Sequence, residues 1–127
     1  MNTVVCETSG FTLARADASP ERSYRAFLAA IAARDIAQLV GHSTQQFNAS
    51  LREMMRMDDF DVMFGLWCDS YSENIHVYGC AQRGDTADLT LSMRVDGRIH
   101  FVRVTMLAER GRWKVARERF RVSVRSR

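Results

Sequence analysis

The hydrophobic period of this chain changes once, near Glu73, and that change limits what it can fold into. Before Glu73 the apolar residues recur three and four positions apart, the spacing that gathers them on one side of a helix. After it they alternate, the spacing that gathers them on one face of a strand. The expected architecture is therefore α+β: N-terminal helices packed in the concave face of a curved, mainly antiparallel sheet.

The helical half opens at Ser19-Pro20. The serine oxygen suits an orphan N–H of the first turn, and proline is tolerated at the first helical position. Tyr24, Phe27, Leu28 and Ile31 follow as one apolar stripe on a helix ending near Arg34. Asp35 is expected to cap a short second helix carrying Ile36, Leu39 and Val40, which Gly41 would end in a left-handed conformation. Phe47, Leu51, Met54 and Met55 mark a third amphipathic segment. Beyond Asp58-Asp59, which reads as a break or a bend, Phe60, Met63, Phe64, Trp67 and Tyr71 repeat the pattern. Methionines and aromatics at this spacing read mainly as core. Ahead of the helices, Met1 to Ala18 forms an arm with two β-prone pieces, Thr3 to Cys6 and Phe11 to Ala14.

Three turn signals, Arg83-Gly84, Asp96-Gly97 and Arg110-Gly111, divide the remainder into four strands of a meander. Asp96-Gly97 is the strongest, because both central residues of a type I′ turn need positive φ and this pair tolerates it. With two-residue loops the register follows. One face collects Ala87, Leu89, Leu91, Met93 and Val95, then Val102, Val104, Met106 and Ala108, then Trp113 and Val115. Unbroken alternation adds His76, Tyr78 and Cys80 from the first strand, His100 from the third, and Arg117 and Arg119 from the fourth. It leaves that inner face with no Asp or Glu.

Burying unpaired arginines costs several kcal/mol, so they must pair with a helix carboxylate such as Asp69, bind an anion, or reach solvent at a cavity mouth. Alternatively, a three-residue loop at 110–112 would pair Glu109 with Trp113 and move Arg117 and Arg119 off the inner face. In its favour, the two-residue version sets Arg103 beside Glu118 and Phe101 beside Phe120 on the outer face. Ile99, Phe101, Leu107 and Phe120 make that outer face apolar enough to suggest a homodimer through the back of the sheet.

The 127 residues suit one domain, expected over 19–122 between the arm (1–18) and a basic tail (123–127). No apolar run approaches the ~18 residues of a membrane helix, and the first residues lack the pattern of a signal peptide, so no membrane partner and a cytoplasmic location are expected. Cys6, Cys68 and Cys80 are odd in number and lack CxxC spacing, which favours buried free thiols. His76 and Cys80 of the first strand and His100 of the third are cross-strand positions without dense ligand spacing, and neither metal nor cofactor is expected. Charge is uneven: residues 94–127 hold 11 Lys and Arg against 3 acids, residues 1–93 only 7 against 12. Such a half suits an anion or nucleic acid, or compensates an acidic helical layer. Nucleic acid is not expected, because no interleaved aromatic and basic run accompanies the charge.

Ser19-Pro20-Glu21 with Tyr24 and Phe27, the step Ala33-Arg34-Asp35 into Ile36 and Leu39, and Gly111-Arg112-Trp113-Lys114-Val115 in the last strand resemble the nuclear transport factor 2-like superfamily, over about residues 19 to 120. That group includes SnoaL-like cyclases and ketosteroid isomerases. The resemblance implies a cone-shaped fold with a pocket, frequent dimers through the sheet, and often a carboxylate base inside the cone, which the register above does not supply.

Three functions follow as expectations. The first is a pocket for a small polar or anionic molecule, contacted by Arg117, Arg119, Asp69, Trp67, Tyr24 and Cys80. A second is an enzyme with His76 or His100 as general acid/base and Tyr78 as hydrogen-bond donor, for isomerisation, cyclisation or dehydration. The third is a protein-interaction module using the sheet back or the basic C-terminus.

Overall fold

The computed structural model describes residues 7–9 and 19–125, with side chains over 19–121. Four helices, α1 (Pro20–Ala32), α2 (Ile36–Gly41), α3 (Gln45–Met55) and α4 (Phe60–Asp69), precede four long strands, β2 (Ile75–Arg83), β3 (Thr86–Val95), β4 (Arg98–Glu109) and β5 (Arg112–Arg125). A short strand, β1 (Glu7–Ser9), pairs parallel to β2 and completes the order β1-β2-β3-β4-β5. The two β-prone pieces of the arm lie outside the described residues. The chain is α+β, with helices packed on one face of a curved sheet whose four long strands are antiparallel. Among the described residues, no helix is long and apolar enough to cross a membrane.

Local chemistry explains the boundaries. Ser19 accepts from the Arg22 N–H, Asp35 from Gln38 and Thr44 from Phe47, so three helices start on a side-chain cap. Asp58-Asp59 is a break, not a bend, because α4 begins as a separate helix at Phe60. Gly41 remains inside α2, and the left-handed residue of this region is Arg34, whose φ of 54° ends α1.

All three hairpins close through two residues, with Arg83 opposite Thr86, Val95 opposite Arg98 and Glu109 opposite Arg112; the first loop is Gly84-Asp85, one residue beyond the expected Arg83-Gly84, because Arg83 is still paired in β2. Asp96-Gly97 and Arg110-Gly111 both take positive φ at their two central positions, as a type I′ turn requires. The core lies between the helices and the inner face of the sheet: Tyr24, Phe27, Leu28 and Ile31 of α1 meet Leu89, Leu91, Val102, Val104, Met106 and Val115.

Among the described residues the pairing shifts register three times, once near the end of β5 between the Arg98–Arg125 and His100–Val122 pairs, and at two bulges that decide which side chains face inward. On β2, Val77 pairs with Leu91 and Gly79 with Thr90, leaving Tyr78 without a partner on β3. On β5, Val115 pairs with Met106 and Arg117 with Thr105, leaving Ala116 extra. A bulge inserts one residue and reverses the facing of everything beyond it. The β5 bulge follows a second constraint: the α2–α3 linker docks on the free edge of β5, with Val115 donating to the His42 carbonyl and accepting from the Thr44 N–H.

Truncating the fully buried Leu89 to Ala should cost about 2–5 kcal/mol of unfolding free energy in urea titrations. The same change at Leu66 on α4, which is 63% exposed, should cost less than about 0.5 kcal/mol.

Candidate functional site

Beyond Ala116 the alternation of β5 resumes with opposite sense. Arg117, Arg119 and Arg121 lie exposed, in register with the outer-face residues Thr105, Arg103 and Phe101 of β4, while Glu118 and Phe120 turn toward the helices. Two phenols meet the carboxylate there. Tyr24, buried in α1, donates to Oε2 at 2.6 Å, and Tyr71, just past the end of α4, donates to Oε1 at 2.5 Å. Each oxygen thus has one neutral donor, and among the described residues no Lys or Arg forms an ion pair with Glu118.

Burial raises the Glu118 carboxyl above its ordinary value, and the two phenol hydrogen bonds offset part of that rise. Both tyrosines are pushed upward, first by burial and then by the adjacent negative charge. Protonated phenols are the donors a buried carboxylate needs, so the three groups hold one another in matching states.

This carboxylate lines a cleft of about 640 Å³ between α3, α4 and β5. Phe47, Met54, Trp67, Tyr71 and Phe120 supply its apolar wall, and Gln46 and Ser50 add polar groups. The rings hold one another in place: Tyr71 lies edge-on to Trp67 at 5.0 Å and to Phe120 at 5.5 Å, and Phe27 stands edge-on behind Phe47 and Tyr71. At the bulge, Ala116, Arg117 and the outer-face residue Thr105 also belong to the lining, so the cleft reaches round the free edge of β5.

The residues expected at a site distribute differently. Trp67 lines the cleft, and Tyr24 reaches it only through Glu118. His100 keeps its inner-face register, half-buried and edge-on to Phe120. His76 and Tyr78 do not face inward: the β2 bulge turns both to the outer surface, where their rings meet at 4.6 Å. Arg119 is exposed on the outer face, and Arg117 touches only the cleft's outer lip. Asp69 is no partner for either; it pairs with Arg34 at the surface. Cys80 is buried and disulfide-bonded, which corrects the expected free thiol, whereas Cys68 is a free buried cysteine.

The unbroken register also hid Glu118, which it placed on the outer face beside Arg103; Arg119 occupies that position instead. Its readable trace was the anomaly of two arginines on an apolar face. Comparisons with family models, curated proteins and solved structures find no match to this chain.

The raised Glu118 value has a signed consequence. From its ordinary 4.5 up to its folded value, the folded chain binds more protons than the unfolded chain, so stability falls as pH rises through that window. Urea titrations from pH 4 to about 8 should show this fall in the native protein and its loss in Glu118→Gln. Tyr24 and Tyr71, raised from 10.0, should add a second loss of stability above about pH 10.

Proposed function

We propose that this chain is a small-molecule-binding domain whose cleft accepts an apolar, ring-bearing ligand through the aromatic wall and orients it by a cationic or hydrogen-bond-donating group at Glu118. The observation that carries the reading is a half-buried carboxylate, raised by desolvation and without a cationic side-chain partner among the described residues, lining an open aromatic cleft. A carboxylate has about four acceptor positions, and the two phenols occupy two. The volume of about 640 Å³ lies within the range of small-molecule pockets, and the ratio of apolar wall to few polar groups is the usual one. An ammonium group would gain both the carboxylate and the faces of Trp67 and Tyr71. The expected anionic ligand loses its support, since Arg119 lies outside and Glu118 would repel it.

A carboxyl raised by burial and held by two phenols also supports a second reading, an enzyme of the isomerase, cyclase or dehydratase kind. Glu118 would move the proton, in place of His76 or His100, and Tyr71 would donate to a developing oxyanion in place of Tyr78. This arrangement is also what the resemblance to the nuclear transport factor 2-like superfamily implies, a carboxylate inside a cone.

A thermal-shift series with arylalkylamines, their neutral alcohols and their carboxylates separates these ideas, since a ligand that prefers the folded state raises its stability. Amines should raise Tm most, Glu118→Gln should abolish the preference, and Trp67→Ala should weaken all binding. Stabilisation by carboxylates, or an amine preference unchanged in Glu118→Gln, would overturn the binding reading. Hydrogen–deuterium exchange at a carbon next to a ligand carbonyl, lost in Glu118→Gln with binding retained, would establish the enzymatic one.

A further inference from the structure

We propose that the outer face of the sheet is a platform for single-stranded nucleic acid. The two bulges that rearrange the inner face also rearrange this one. Three adjacent cross-strand rows read His76, Ser92, Phe101, Arg121; then Gly79, Thr90, Arg103, Arg119; then Ala81, Asp88, Thr105, Arg117. Tyr78, extruded by its bulge, stands beside the first row with its ring 6.4 Å from Phe101. Tyr78 is 56% exposed and Phe101 42%.

Arg103, Arg117, Arg119 and Arg121 are all exposed, and none forms an ion pair among the described residues. The one acid within these rows, Asp88, accepts from the Thr105 hydroxyl. Four unneutralised guanidinium groups therefore flank a pair of open aromatic rings on a rigid sheet.

That combination selects its occupant by chemistry. Guanidinium forks bind phosphates, and aromatic rings lying open on a sheet stack unpaired bases; a single strand offers both at once. A duplex offers phosphates but keeps its bases stacked inside. A second copy of this chain fits less well, because a two-fold interface through this face would set arginine rows against arginine rows. In the linear sequence only Phe101 and Arg103 lie close together, on β4; Tyr78 comes from β2 and the other three arginines from β5, and the register brings them together.

Fluorescence anisotropy with labelled oligouridylate, oligodeoxythymidylate and a DNA duplex tests this on the full chain, at several salt concentrations. The single strands should bind in preference to the duplex, with affinity falling by about 0.7 in log K per log salt for each phosphate engaged. Arg103→Ala, Arg119→Ala and Arg121→Ala should each flatten that slope. Phe101→Ala and Tyr78→Ala should weaken binding roughly 5- to 150-fold with the slope unchanged. All five positions are exposed, and unaltered circular dichroism and Tm would show that the fold is retained. Glu118→Gln should leave oligonucleotide affinity as it is, so failure here and failure of the cleft reading are distinguishable. The proposal is overturned by no binding at low salt or by equal affinity for duplex and single strands. Indifference to Phe101→Ala and Tyr78→Ala, or a dimer through this face that oligonucleotide does not dissociate, overturns it too.

Discussion

A carboxylate removed from water without a cation must find donors elsewhere or keep its proton, and Glu118 does some of each. Desolvation costs several kcal/mol per ion, whereas a hydrogen bond to a charged group returns about 1.5–3 kcal/mol. Two phenol bonds come close to balancing that cost without erasing it, which is why the carboxyl is raised in spite of them. The consequence for the fold is a three-way tie. Tyr24 brings α1 and Tyr71 brings the end of α4 to the same strand, and the cleft exists because those elements meet β5 at one point.

That tie depends on one extra residue. Without Ala116 to break the alternation, Glu118 would face outward and Arg117 and Arg119 would enter the core. The linker from His42 to Thr44 holds Val115 from the other side, so β5 is fixed on both edges just before the bulge and turns just after it. The Tyr78 bulge does the same on β2, turning His76 and Tyr78 outward and Val77 inward. Together they sort the side chains by polarity of task. The inner face keeps one acid against aromatic walls, and the outer face collects arginines around two exposed rings.

Much of the architecture was legible because it rests on local rules. The helix starts at Ser19 and Asp35 follow from side-chain oxygens beside apolar periodic runs, and two of the hairpins from Asp96-Gly97 and Arg110-Gly111, which take positive φ. The inner faces of β3 and β4 were legible too, because their alternation is unbroken from Ala87 to Met106. The site was not, because a bulge is a long-range compromise between neighbouring strands and leaves little local trace. Gly79 beside Tyr78 was such a trace, since glycine within a strand often marks a bulge. Ala116 offered none; there the only clue was energetic, in the form of two arginines that no core would accept. The disulfide at Cys80 was hidden because an odd cysteine count does not show which thiols are brought together.

The inward turn of β5 and the cleft it lines both depend on the state of the Glu118 carboxyl, and titration of that group followed by carbon NMR measures this state directly. The side-chain carboxyl resonance of Glu118 should titrate above the ordinary 4.5, and Tyr71→Phe or Tyr24→Phe should move it higher still, because each removes a donor to the charged form. A Glu118 that titrates at the ordinary value, unaffected by either substitution, would mean that the side chain faces water, and the inward turn at Ala116 would be wrong.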